Sequence, residues 1–211
     1  LIINPNNPTG LMIPVNTIIS WAKTLQARGG MLIIDEAFVE IHPEQSILNG
    51  EQALPSNLLI LRSVGKFFGL AGIRIGFACA KQELLNDLEE RLGPWCINGI
   101  AQQISIEALS DTRWHEEERR RIVEDNDNTL HLFDPLLQRY QGFLCAHQGL
   151  FSSWRLSLAQ GVGLYELLAE RGVLVRLIPY SSAQCLIRIG NLASENTLLT
   201  SDVAKRLNTI P

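Results

Sequence analysis

Apolar residues in the first third of the chain fall into two kinds of pattern. The segments LIIN, MLIID and NLLILRS begin at residues 1, 31 and 57. Each contains a short unbroken apolar run, which predicts a buried strand. Between the first two runs, apolar positions recur at helical spacing after Pro14 and stop before Gly29, which predicts a helix; they are Ile18, Ile19, Ala22 and Leu25. Strands that are apolar on both faces and alternate with a helix predict a parallel sheet covered by helices.

The alternation continues with a fourth predicted strand, IRIGFACA, which begins at residue 73. Leucines at helical spacing predict a helix from Lys81 to Leu92, and the pair Gly93 and Pro94 predicts its end. One or two long helices are expected from residue 98 to residue 128.

After Asp134 and Pro135 the pattern changes to short strands around a helix. The runs LFSSWRLSL, VLVRLI and CLIRIG, which begin at residues 150, 173 and 185, predict strands. Helices are expected at residues 164–171 and 194–208, where apolar positions return to helical spacing.

We therefore expect an α/β fold in two parts. Residues 1–125 are predicted to form a mainly parallel sheet with helices on both faces, and residues 126–211 a small C-terminal α+β domain. The chain starts with Leu1 rather than methionine and opens inside a strand, so we also expect it to lack the N-terminal part of a larger fold.

Composition excludes several classes of function. The 211 residues are 46% hydrophobic and 19% charged, which is typical of a folded globular protein. The net charge of −4 argues against nucleic acid as a partner, and no apolar run reaches the roughly 18 residues that a membrane span needs.

The cysteines are too far apart for a disulfide framework or a zinc site, which predicts a cytoplasmic protein; they are Cys79, Cys96, Cys145 and Cys185. The histidines show no metal-ligand spacing, so no metal is expected; they are His42, His115, His131 and His147.

The segment GKFFG follows a predicted strand but does not match a nucleotide-binding loop. Ile60 stands where a P-loop needs its first glycine, and Phe67 stands where it needs serine or threonine. No G-x-G-x-x-G sequence occurs either, so a dinucleotide fingerprint is absent.

Four motifs instead lie at predicted strand ends, where open parallel sheets bind ligands. They are NPNNPTG from residue 4, DEAF from residue 35, Ser63 with Lys66 three residues later, and Arg74. In this order the motifs resemble those of fold-type I pyridoxal 5′-phosphate (PLP) enzymes of the class I and II aminotransferase group. The resemblance implies PLP as cofactor and a homodimer as the usual assembly.

By this resemblance Lys66 is the residue whose amine attacks the cofactor aldehyde, and a dry pocket would lower the pKa of that amine. The same amine would then carry protons to and from the substrate. Asp35 matches the aspartate that pairs with the pyridine nitrogen and keeps it protonated, so that the ring accepts electrons.

The remaining cofactor and substrate ligands follow from the same resemblance. Asn7 matches the asparagine that donates to the phenolic oxygen of PLP and so also borders the substrate. Ser63 and Arg74 match the phosphate ligands. Arg188 matches the arginine that grips the substrate carboxylate, and Arg176 is a second candidate for an anionic group of the substrate, with pairing to a surface acid as the alternative.

The sequence also points to a branch of the family. Many relatives carry tyrosine where this chain has Phe38. The chain most resembles the branch that decarboxylates L-threonine O-3-phosphate in cobalamin biosynthesis, on the evidence of this position and of the segments RSVGKFFGLAGIRIGFA and LYELLAERGVLVR. The implied substrate is a small phosphorylated amino acid. An aminotransferase acting on histidinol phosphate or a similar compound, and an inactive fragment or binding module of the same fold, remain the alternatives.

Overall fold

A computed structural model describes residues 1–50, 53–147 and 149–210. They form two compact units, the first made of Leu1–Asn7 and Met12–His115 and the second of Pro8–Leu11 and the chain from Glu116 onward. The domain division expected at residue 125 remains a prediction. Among the described residues no helix is both long and apolar enough to cross a membrane.

The first unit contains a four-stranded sheet in the order β1-β2-β3-β4. Strands β1 (Ile2–Ile3), β2 (Leu32–Asp35) and β3 (Leu58–Ser63) are parallel, whereas β4 (Gly76–Cys79) pairs with β3 in the antiparallel direction. The α/β class with a mainly parallel sheet is therefore confirmed.

Helix α1 (Val15–Gln26) covers this sheet with the apolar positions that its sequence spacing predicted. Its buried residues join those of β2 and β3 in one core, formed by Ile18, Ile19, Ala22, Leu32, Ile34, Ile47, Leu58 and Ile60. Two further helices follow, α2 (Gln82–Leu92) and α3 (Gly99–Ser110), and α2 ends at Gly93 as expected.

The second unit contains most of the long helix α4 (Thr112–Arg139) and a second sheet with the strand order β5-β6-β8-β7. All neighbouring strands of this sheet are antiparallel. Its elements are β5 (Phe143–His147), β6 (Phe151–Ser157), α5 (Leu158–Glu170), β7 (Arg176–Pro179), β8 (Gln184–Gly190) and α6 (Thr197–Leu207). The core centres on the fully buried Trp154, with Leu164 and Leu168 of α5 and Ile187 of β8.

Two boundaries in the second unit differ from the sequence prediction. Helix α5 begins at Leu158, six residues earlier than expected, because the Ser157 hydroxyl accepts a hydrogen bond from Gln160 N at 3.3 Å and caps it. Helix α4 continues through Pro135, where we expected a change of structure. Phe133 and Leu136 on either side are both buried, and this packing keeps the helix continuous.

Candidate active site

Several of the predicted site residues leave the same edge of the first sheet. Asp35 is the last residue of β2 and Ser63 the last of β3, and these strands run in parallel. Asn4, directly after β1, donates its backbone N–H to Asp35 O at 2.9 Å. Asp35 and the loops that carry Asn7 and Lys66 therefore lie at the carboxyl ends of three neighbouring strands.

Asp35 is held by its own turn. Its Oδ1 accepts a hydrogen bond from Ala37 N at 3.0 Å, and the side chain is half-buried. Within the described residues, Oδ2 has no hydrogen-bond partner. One carboxylate oxygen thus fixes the orientation of the group, and the other can pair with a protonated ring nitrogen.

Lys66 lies near the segment that follows Asp35. Its Nζ is 5.6 Å from the ring centroid of Phe38, which is three residues after Asp35. Among the described residues this side chain is exposed, and the dry pocket around Lys66 stays a prediction. The amine is accessible to a carbonyl compound.

The turn between Ser63 and Arg74 fits a phosphate group. Ser63 Oγ accepts a hydrogen bond from Gly65 N at 3.0 Å, and a Cβ at Gly65 would lie 3.3 Å from this oxygen and 3.4 Å from Ala71 Cα. Arg74 lies two residues before Gly76, the register partner of Ser63. Its side chain is exposed. Within the part of the chain that the structure describes, the guanidinium donates one hydrogen bond, from Nη1 to Ala71 O at 3.2 Å, which leaves its other N–H groups for an anion.

The loop NPNNPTG is closed by Asn4. This buried side chain accepts from Ile13 N at 2.8 Å and donates to Ile13 O at 3.2 Å, so that it joins both ends of the loop. Asn7 lies half-buried inside the loop. Asn4 therefore shapes the loop that presents Asn7.

Arg176 and Arg188 lie opposite each other in the second sheet. They are register partners on β7 and β8, and both border a concavity of about 500 Å³ whose other lining residues include Tyr165, Leu174 and Gly190. Burial, followed by the positive charge of Arg176, lowers the pKa of Arg188. Like charges directly opposite each other on a sheet are destabilising, and an anion bound between them reverses this effect.

Sequence reasoning missed a buried carboxylate next to Asp35. Glu36 accepts hydrogen bonds from Ser46 Oγ at 2.6 Å and from Ile47 N at 2.8 Å, and Arg62 Nη1 lies 3.5 Å from its Oε2. Arg62 also pairs with Glu40. The signal was present, since Arg62 is a charged residue inside the apolar strand LLILRS.

Ser153, in the second unit, was also missed. This buried residue is the register partner of Arg188 on β6, and its hydroxyl donates to Pro8 O at 2.6 Å. A serine inside an apolar strand gives no signal of such a partner 145 residues away.

These observations test whether the described residues suit PLP. Three features lie at or next to adjacent strand ends. They are a carboxylate with one available oxygen, an accessible lysine amine and a tight turn with an exposed arginine. They supply one partner each for the ring nitrogen, the aldehyde and the phosphate of PLP. The residues fit the cofactor.

Comparisons with known proteins agree with this fit. The family model of aminotransferase class I and II matches residues 1–201. A threonine-phosphate decarboxylase from Pseudomonas aeruginosa is 36% identical over 207 residues, which are 97% of this chain and 58% of that protein. A histidinol-phosphate aminotransferase from Bacillus cereus is 31% identical over 180 residues, 83% of this chain and 46% of that protein.

The histidinol-phosphate aminotransferase of Clostridium acetobutylicum has the same fold, with a TM-score of 0.79 at 27% identity over 99% of this chain and 64% of that chain. The chain thus spans between 46% and 64% of the length of these three relatives. By its sequence match and its fold, the chain belongs to the aminotransferase class I and II family of PLP-dependent enzymes.

Proposed function

We propose that this protein decarboxylates L-threonine O-3-phosphate to aminopropanol phosphate, with PLP held by Lys66, Asp35, Asn7, Ser63 and Arg74. The observation that carries the proposal is the placement of Asp35, Ser63 and the Lys66 loop at the carboxyl ends of adjacent parallel strands. Relatedness to a threonine-phosphate decarboxylase supports this substrate. We place the reaction in cobalamin biosynthesis on the sequence resemblance alone.

Asp35 and Lys66 would act at opposite ends of the reacting system. PLP, when bound, supplies a conjugated ring that takes up the electron pair of a broken bond at the substrate Cα. Asp35 would hold a proton on the ring nitrogen through its available carboxylate oxygen, which favours the positive form of that nitrogen. Lys66 Nζ would deliver a proton to Cα after the carboxylate has left as CO₂.

The two opposed arginines suit a substrate with two anionic groups. Threonine phosphate carries a carboxylate and a phosphate, and Arg188 and Arg176 border one concavity. The bond broken at Cα is the one held perpendicular to the conjugated plane, so the reaction depends on how these anions are anchored. Arg188 would anchor the carboxylate and Arg176 the phosphate.

PLP binding is tested first. Adding PLP to the chain should give a near-visible absorbance band, and reduction with borohydride should fix the cofactor on Lys66, as read by peptide mass. Lys66→Ala should lose both signals, whereas Lys81→Ala, another exposed lysine, should keep both. A wild-type chain without either signal would favour a binding module or inactive fragment of the same fold.

The reaction is tested second. Incubation with threonine phosphate should release CO₂ without consuming a keto acid. The competing function, histidinol-phosphate aminotransferase, is favoured by the relative that is 31% identical. It would require a keto acid and would leave threonine phosphate intact.

Family membership also supports a homodimer in solution. Sedimentation equilibrium should give twice the chain mass of 23.5 kDa. A mass that stays at 23.5 kDa at micromolar concentration would contradict this assembly.

A further inference from the structure

We propose that four aromatic rings position Lys66 for the cofactor, an inference that rests on the proposed role of that lysine. The rings belong to Phe67, Phe68, Trp114 and His115, which we call the aromatic cluster. Trp114 and His115 are thereby assigned as positioning residues, acting through the Lys66 backbone.

The amine of Lys66 is accessible, but its neighbours in the chain are not. Phe67 and Phe68 are only 3% and 8% exposed, and Val64 on the other side is buried. Lys66 O accepts a hydrogen bond from Gly69 N at 3.1 Å. The lysine therefore projects from a segment that is anchored on both sides.

The anchors after Lys66 are ring contacts. The Phe67 and Phe68 rings meet edge to face with centroids 5.0 Å apart. Trp114 stacks on Phe68 at 5.9 Å and meets Phe67 edge to face at 5.4 Å, and the His115 ring lies 5.2 Å from that of Phe68. These separations are the favoured distances for aromatic pairs.

Trp114 and His115 are themselves fixed by the junction of α3 and α4. Asp111 Oδ1 accepts a hydrogen bond from Trp114 N at 3.0 Å, and the His115 Nε2–H donates to Ala108 O at 2.7 Å. The cluster thus ties the Lys66 loop to residues almost fifty positions away in sequence. Neither residue belongs to a recognised cofactor motif of this sequence.

Fixing the backbone matters because the amine lies on a long flexible stem. A lysine whose loop shifts by about 1 Å can lose on the order of a hundredfold in the rate of a step that needs alignment. In the described residues the ammonium lies over the Phe38 ring at 5.6 Å, a cation–π contact that depends on the same loop.

The first readout is where PLP becomes fixed by borohydride. The chain has four lysines, all exposed, and peptide mass gives the share of label on each: Lys23, Lys66, Lys81 and Lys205. Trp114→Ala should reduce the share on Lys66 about fivefold, and Trp114→Phe should restore most of it. Trp95→Ala is the matched control, since Trp95 is 95% exposed and should change nothing.

The second readout needs no cofactor. Competitive acetylation of the free chain should label Lys66 at least twofold faster, relative to Lys81, in Trp114→Ala than in wild type, because the released ammonium no longer rests on Phe38. His115→Ala should act in the same direction and covers the case in which Trp114→Ala does not fold.

An unchanged relative rate in a folded variant would overturn the inference while leaving the proposed function intact. A wild-type chain that places no more PLP on Lys66 than on the other lysines would count against the proposed function, and the acetylation rates would then decide the positioning role alone.

Discussion

Replacing Arg176 with glutamine should stabilise the chain without anions and weaken its binding of anions. Arg176 lies directly across from Arg188, and its charge contributes to the lowered pKa of Arg188. The exposed Arg176 side chain has no ion-pair partner within the described residues. Removing its charge therefore removes a repulsion and breaks no salt bridge.

The two effects differ in size. Relief of a like-charge pair across strands should raise the free energy of unfolding by about 0.2–1 kcal/mol, toward the lower value because Arg176 is exposed to solvent. Loss of a charge-assisted contact to a bound phosphate costs about 1.5–3 kcal/mol, which corresponds to an affinity roughly 10 to 150 times weaker. Stability and binding should thus change in opposite directions.

Urea unfolding with and without inorganic phosphate measures both quantities. Saturating phosphate at about 100 times its wild-type dissociation constant should stabilise the wild-type chain by about 2.7 kcal/mol, and at the same concentration Arg176→Gln should lose roughly half to nine tenths of this gain. Arg155→Gln is the control, since Arg155 contacts the Phe143 ring at 5.0 Å and faces no like charge. The reasoning would be refuted if Arg176→Gln lowered stability in the absence of phosphate, or if phosphate stabilised it as much as wild type.

Three further predictions concern the supports of the site and the second core. Burial raises the pKa of Glu36 above its usual 4.5, so the folded chain binds this proton more tightly than the unfolded chain. The free energy of unfolding of the wild type should therefore fall as pH rises from 4.5 through the folded pKa. Thermal unfolding of Glu36→Gln across this range should lack that fall. A Cβ at Gly161 would overlap Cys185 Sγ, so Gly161→Ala should lower the free energy of unfolding in urea by about 1–3 kcal/mol, and adding Cys185→Ala should recover part of it. Equal effects with and without Cys185 would contradict the contact. Asn4→Ala should weaken PLP binding in an absorbance titration, because it removes both side-chain hydrogen bonds to the half-buried backbone of Ile13 and frees the loop of Asn7. An unchanged affinity would count against that link.

Much of the first unit could be predicted because its local signals agree with one another. The run MLIID predicts a buried strand that ends in acid, and β2 ends at Asp35. Gly93, which follows the leucine-rich helix α2, has a φ of 69° and ends it. The antiparallel direction of β4 was not predictable, because an apolar run does not reveal the direction in which it pairs.

The second unit was harder to predict because tertiary packing decides its boundaries. Strand β5 has exposed residues at Phe143 and Leu144, so it shows no buried pattern, and it forms only by pairing with β6. At the site, sequence spacing suggested Arg176 and Arg188 as two separate candidates. Their direct opposition depends on the register of β7 and β8, which the eleven residues between the two arginines do not determine.

The candidate site departs from ordinary structure in ways that a specific set of ligands would offset. Arg74 adopts a φ of 57°, in the left-handed region that non-glycine residues seldom occupy, and so directs a cation from the turn after Ser63. Asp35, at the end of a strand, keeps one oxygen without a partner among residues 1–50, 53–147 and 149–210. In the second unit, two positive side chains, Arg176 and Arg188, lie directly opposite each other in the register. A phosphate group would offset the first feature, a protonated ring nitrogen the second and an anionic substrate the third. PLP should therefore stabilise the first unit, and inorganic phosphate should stabilise the second. Hydrogen exchange measured separately for the amides of β2–β3 and of β7–β8 distinguishes the two effects. If PLP did not protect β2–β3 and phosphate did not protect β7–β8, these unusual features of the site would have another cause.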